Sequence, residues 1–230
     1  QARGKSRFRW ELMMSMKEER LRLVLVMPET DDADAAARMI GEALRGGDVA
    51  SVILPQYGMD DNRFQKLADK VVPLVQHAGA AALVAGDSRV AGRVKADGLH
   101  IAGGVDELGD AIEKHTPKLI VGGGNAQDRH RALEIGELQP DYIFFGKLDG
   151  DIKPEAHPKN LALAEWWASM VEIPCIVMGG TNPESVLAIA ETGAEFAALR
   201  LAVFAEPSRA AAIVQEVNAL LDQKAPRFGS

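Results

Sequence analysis

The chain of 230 residues has a single cysteine, Cys175. That excludes an intrachain disulfide framework and a zinc site built on cysteines, and the simplest expectation is a cytoplasmic protein. No stretch of about 18 consecutive apolar residues occurs, so no membrane span is expected. Aromatics make up only 5% of the residues, which leaves aliphatic side chains to fill the core. Positive charge is not in excess: the net charge is −7 and the pI about 5.3. A global basic footprint for nucleic acid is therefore missing, and an anionic ligand would have to be held by local features such as loop amides and helix N-termini. The first ten residues, QARGKSRFRW, carry Arg3, Lys5, Arg7 and Arg9 but no apolar core of a secretory signal. The chain opens on Gln1, and residues 1–19 are expected to be a disordered extension, followed by one domain over 20–222 and a tail over 223–230.

What is present is a regular alternation. Apolar residues amount to 47%, and they fall into short β-rich runs separated by helical patterns. Strands are expected at Leu21–Met27, Val49–Leu54, Ala80–Ala85, Gly98–Ile101, Leu119–Val121, Tyr142–Phe145, Cys175–Met178 and Phe196–Leu199. Helices are expected at Asp31–Arg45, Asp60–His77, Arg89–Val94, Val105–Lys114, Asp128–Leu138, Leu161–Val171, Pro183–Thr192 and Pro207–Leu221. In Asp60–His77 the residues Phe64, Leu67, Ala68, Val71, Val72 and Val75 recur near the i, i+3, i+4 spacing of one helix face. Short apolar strands alternating with helices imply a parallel sheet covered on both faces. About eight such units in roughly 200 residues fit a single (β/α)8 TIM barrel of the α/β class; a doubly wound open sheet is the alternative.

In a TIM barrel the chemistry sits beyond the carboxyl ends of the strands. The stretch IPCIVMGGTNPESV (173–186) is then the informative one. A buried strand ends in Gly179-Gly180, and Thr181, Asn182 and Pro183 follow as helix-start residues. Such a junction is either a tight turn or a place where backbone amides approach an oxyanion, favoured by the helix dipole.

Four blocks carry a family resemblance: ADGLHIAG (96–103), PDYIFFGKL (140–148), IPCIVMGGTNPESV (173–186) and GAEFAALRLAVF (193–204). From about Val49 to Phe204 the chain resembles the thiamine-phosphate synthases and the related thiazole tautomerases of the TenI type. The resemblance implies a TIM-barrel transferase that couples a pyrimidine methyl diphosphate to a thiazole phosphate with Mg²⁺. It implies a phosphate cradle at Gly179, Gly180, Thr181, Arg200 and Leu201, a catalytic Lys153 in the loop DGDIKPE, and a metal ligand at Asp87. Gln56 and Arg89 are the diphosphate-side candidates. The chain departs from the family pattern in three places: SVILPQYGMDD (51–61) keeps Gln56 but lacks the Arg and Lys expected after the second strand; Gly86 stands where the family has Asn before Asp87; and Val105 stands at the second metal Asp, with Asp106 one residue late. Arg200 could add a guanidinium fork to a phosphate or pair with an acid on a neighbouring loop. The tautomerase histidine aligns near Gln127; His130 lies three residues on and is expected on the surface, and His100 is expected to be structural. Three functions stay open: a working synthase, another enzyme acting on a phosphorylated heterocycle, and a non-catalytic paralogue that keeps the cradle. The expected partner in each is a phosphorylated small molecule, and a homo-oligomer stays open.

Overall fold

The computed structural model describes residues 20–229, so the expected extension over 1–19 lies outside the described residues. Eight parallel strands close into a barrel in sequence order: β1 (Arg22–Val26), β2 (Ser51–Pro55), β3 (Ala81–Ala85), β4 (Gly98–Ile101), β5 (Ile120–Gly123), β6 (Ile143–Phe145), β7 (Cys175–Met178) and β8 (Phe196–Leu199). Closure is made by β8 against β1, with Val24 opposite Ala198 and Leu25 opposite Leu199. The helices of the outer ring are α1 (Ala33–Leu44), α2 (Asp61–His77), α3 (Ser88–Arg93), α4 (Val105–His115), α5 (Arg129–Glu137), α6 (Pro158–Met170), α7 (Val186–Glu191), α8 (Leu201–Phe204) and α9 (Ala210–Lys224). The fold is the expected TIM barrel. No helix among the described residues is long and apolar enough to cross a membrane.

Alternation along the strands creates two separate cores. Leu23, Leu25, Val52, Leu54, Ala82 and Val84 point outward to the helices. Val24, Val26, Ile53, Leu83, Tyr142, Phe144, Ile176 and Met178 fill the barrel interior. The helices bury the faces their spacing dictates; in α2 the buried set is Phe64, Leu67, Ala68, Val71, Val72 and Val75. Asp32, Asp60, Asp87 and Asp128 cap α1, α2, α3 and α5 by accepting backbone N–H bonds in the first turn.

An acid precedes every even-numbered strand, and the structure shows why. Asp97 accepts a bond from the Ala82 amide of β3, Asp141 from the Val121 amide of β5, and Glu195 from the Cys175 amide of β7, all at 2.8–2.9 Å. Asp48, before β2, instead takes the Arg22 guanidinium through both oxygens. These carboxylates tie neighbouring strands together at the amino end of the barrel, away from the mouth.

Several boundaries differ from expectation. The run Gly122-Gly123 lies within β5 and not beyond it. A Cβ at Gly122 would stand 2.4 Å from the Tyr142 ring, so the missing side chain is what lets that ring enter the barrel. Helix α6 starts at Pro158, capped by His157, three residues before the expected Leu161, because Pro suits the first helical position. Pro183–Ser185 is a 3-10 turn that precedes α7. The short α8 was not expected, and the last helix runs from Ala210 to Lys224 after a 3-10 turn at Pro207–Arg209. It therefore extends two residues into the expected tail.

Candidate active site at the barrel mouth

The loops after β2 and β3 bring together the candidates for the diphosphate side. Gln56 Oε1 accepts a bond from the Asp87 amide, while Gln56 Nε2 donates to Met59 O at 2.9 Å and to Asp61 Oδ1 at 2.8 Å. Arg89 folds back over Asp87, with Nη2 2.7 Å from Asp87 Oδ2 and Nε 3.1 Å from Oδ1, and also reaches Asp61 at 3.3 Å. The hydrogen bonds from the Arg89 side chain, then its amide, hold the Asp87 carboxyl well below the ordinary aspartate range. Asp61 and Asp87 thus converge, but on a guanidinium. As arranged they do not fit Mg²⁺, whose coordination would need the oxygens that Arg89 holds; among the described residues no three His, Cys, Asp or Glu side chains cluster as a metal site. Asp106 lies exposed in the first turn of α4.

Across the mouth, the residues expected to cradle phosphate also come together, but their amides are engaged. The Gly179 amide donates to Ala198 O at 2.8 Å and that of Gly180 to Ser185 Oγ at 3.0 Å. Thr181 N donates to Lys153 O at 2.9 Å, and Asn182 N to Pro154 O at 3.1 Å. Arg200 pairs with an acid of a neighbouring loop: Nε and Nη2 lie 2.9 and 2.6 Å from Asp151 Oδ1. The second oxygen of Asp151 accepts from the Leu201 amide at 2.9 Å. The Tyr57 hydroxyl donates to Met27 O at 2.6 Å, and burial pushes its pKa up against the opposing pull of nearby Arg200. Tyr57 sits at φ +53°, in the left-handed region, and its hydroxyl reaches the residue that follows β1. Lys153 is exposed on the loop after β6.

The histidines sort as expected. His100 points into the barrel, with Nδ1 2.8 Å from the Tyr142 hydroxyl and its ring edge-on to Phe144. Burial pushes its pKa down to about 3, which suits a neutral core group. His130 is exposed on α5 beside Glu134. Sequence reasoning missed Asp151, Tyr57, Asp61 and Ser185. The only signal for Asp151 was an acid close to Lys153 in the β6 loop; nothing local shows that it faces Arg200, 49 residues away.

Fold and mouth together define a TIM barrel whose carboxyl-end loops gather charged and glycine-rich groups on two opposing sides. A family model described as thiamine monophosphate synthase (TMP-TENI) matches residues 23–203. A thiamine-phosphate synthase of Hyphomonas neptunium is 30% identical over 212 residues, covering 90% of this chain and 96% of that protein. One from Rhodospirillum centenum is 31% identical, covering 87% and 97%. In structure, a thiamine phosphate pyrophosphorylase from Pyrococcus furiosus superposes with a TM-score of 0.72 at 21% identity, covering 89% of this chain and 97% of that one. The chain belongs to the thiamine monophosphate synthase family.

Proposed function

We propose that the chain is a transferase of the thiamine-phosphate synthase type, joining a pyrimidine methyl diphosphate to a thiazole phosphate across this mouth. One observation carries the reading: the mouth has a cationic group on each of two opposing sides, Arg89 beyond β3 and Arg200 beyond β8. The reaction has an anion at each end, so it needs both. The bond from the pyrimidine methyl carbon to the diphosphate oxygen breaks, and its electron pair leaves with diphosphate. The thiazole nitrogen lone pair then forms the new C–N bond to the carbocation-like methyl carbon. Arg89, assisted by Lys153 swinging in from its loop, stabilises the departing diphosphate. Arg200 and the amides of Leu201 and Thr181 hold the thiazole phosphate once the loop after β6 has moved away from them, and the Gly180 amide joins them only on leaving Ser185 Oγ. Asp87 and Asp61 would hold the magnesium that the resemblance implies only with Arg89 released from them, and the ion would then supply counter-charge to the diphosphate.

A second reading has its own support. Arg89 grips Asp87 through two nitrogens, and Gly58 and Asp60 stand where the Arg and Lys are expected after Gln56. A protein that binds a phosphorylated heterocycle without transferring diphosphate would tolerate both. The test is a product assay on the purified protein with both substrates and Mg²⁺, beside calorimetric titration with each substrate alone. Product supports the synthase. Thiazole phosphate binding without product selects the second reading, and no binding of either substrate overturns both.

A further inference from the structure

The loop after β6 lies over the β7–β8 side of the mouth as a strap, residues 147–157. Of these eleven residues only Asp151 and Ala156 are buried; the flanking Asp149, Gly150, Ile152 and Lys153 are exposed, Ile152 to 84%. Apart from Leu148 and Ala156, which pack against the two cores, the loop is solvated, and it dips a single carboxylate inward. The Asp151 side chain is fully buried and that of Arg200 is 14% exposed. One oxygen takes the Arg200 fork and the other takes the Leu201 amide. Guanidinium plus backbone amide is the donor set that would receive a phosphate. The same strap presents the carbonyls of Lys153 and Pro154 to the amides of Thr181 and Asn182. One short segment therefore occupies Arg200, the Leu201 amide and the Thr181 amide with its own oxygens, while the Gly179 and Gly180 amides are held by Ala198 O and Ser185 Oγ. Among the described residues no buried side-chain nitrogen or oxygen lacks a partner, Asp151 and Arg200 included.

We infer that the Asp151 carboxylate is a built-in anion occupying the phosphate-recognition groups of this mouth, so that a phosphorylated ligand binds only by displacing it and lifting the strap. The inference rests on the reading of this mouth as a phosphate site. A purely architectural acid looks different in this molecule. Asp97, Asp141 and Glu195 sit just before strands at the opposite end of the barrel and each accepts a strand amide. Asp151 instead belongs to a loop with little buried surface, the kind of segment that opens at low cost. An internal competitor lowers apparent affinity by the fraction of molecules in which the strap is open. Asp151 is then a specificity-determining residue. It rejects weak anions, whose binding energy does not repay loss of the Asp151–Arg200 pair, and admits ligands that gain contacts beyond the phosphate.

The experiment is calorimetric titration of the full chain with inorganic phosphate and with thiazole phosphate, in the wild type, Asp151→Asn and Arg200→Ala. Asp151→Asn is nearly isosteric and keeps an acceptor for the Leu201 amide, but removes the charge that holds Arg200. Binding of inorganic phosphate about tenfold tighter or more in Asp151→Asn, and lost in Arg200→Ala, is the expected result. Equal or weaker binding in a folded Asp151→Asn overturns the inference while leaving the cradle standing. Failure of both phosphates to bind either the wild type or folded Asp151→Asn overturns the cradle reading itself. If Asp151→Asn does not fold, hydrogen exchange of the strap in the wild type decides. Faster exchange across 147–157 at saturating thiazole phosphate supports displacement; unchanged or slower exchange, or no binding to report, overturns it.

Discussion

Gly180 lies directly beneath the strap: a Cβ there would stand 2.1 Å from the carbonyl oxygen of Pro154 and 2.4 Å from its carbon. Both atoms are backbone, so neither can swing aside. Gly180→Ala is expected to force the strap outward and cost about 1–3 kcal/mol, the usual penalty for overpacking. Chemical denaturation checks the cost. Faster hydrogen exchange at 147–157 checks its place, and a variant with unchanged stability and exchange would show that the strap does not rest on residue 180.

His100 is neutral and enclosed by the barrel. Its pKa falls from 6.5 to about 3 because burial disfavours the charged ring. In the unfolded chain the ring takes up a proton below about pH 6.5; in the folded protein it does not until about pH 3. Its contribution is therefore fully present above pH 6.5 and is lost as pH falls between those values, with a slope approaching about 1.4 kcal/mol per pH unit. His100→Phe should lack that component. The check is the pH dependence of the stability difference between wild type and variant from pH 7 to 4; a difference independent of pH would mean that His100 titrates alike in both states.

Arg89 and Asp87 form the other ion pair of the mouth. Removing the guanidinium in Arg89→Ala should bring the Asp87 carboxyl back toward the 3.8 of an ordinary aspartate, as read by carboxyl NMR titration. In the wild type the charged Asp87 is favoured by folding above that value, and the advantage disappears as pH falls below it. The same variant leaves Asp61 and Asp87 without their shared cation. Added Mg²⁺ should then shift the Asp87 resonance in Arg89→Ala more than in the wild type, and equal shifts would remove Arg89 as the group that competes with metal.

Cys175 opens β7 and is buried, and burial pushes its thiol well above the usual range. A thiol reagent should leave the folded protein unmodified and react at the rate of global unfolding. Since this is the only cysteine of the chain, the reaction reports on the barrel as a whole. Rapid modification under native conditions would reveal local opening of β7.

The barrel was legible in the sequence because its information is local and repeated. Eight short apolar runs separated by helical periodicity leave few alternatives, and Asp32, Asp60 and Asp128 mark helix starts through side chains that cap their own first turns. The errors fell where tertiary contacts override local signs. Gly122 reads as a loop glycine, but the Tyr142 ring, twenty residues on, makes it a strand residue. At Gly179-Gly180, which reads as either a tight turn or an opening for an anion, no local sign tells that the backbone group lying against Gly180 is the Pro154 carbonyl.

The sequence by itself determined the barrel and its order of elements, through pattern and spacing, and pointed to the family through four blocks of residues that resemble it. Only the tertiary structure decided which charges meet at the mouth. Arg200 could face a ligand or an acid as far as local sequence goes, and Arg89 could point at solvent. Chain closure set Asp151 against Arg200 and drew Asp61, Asp87 and Arg89 into one cluster. Ion pairs between distant loops depend on where the barrel delivers their ends, and no periodicity in the chain encodes that.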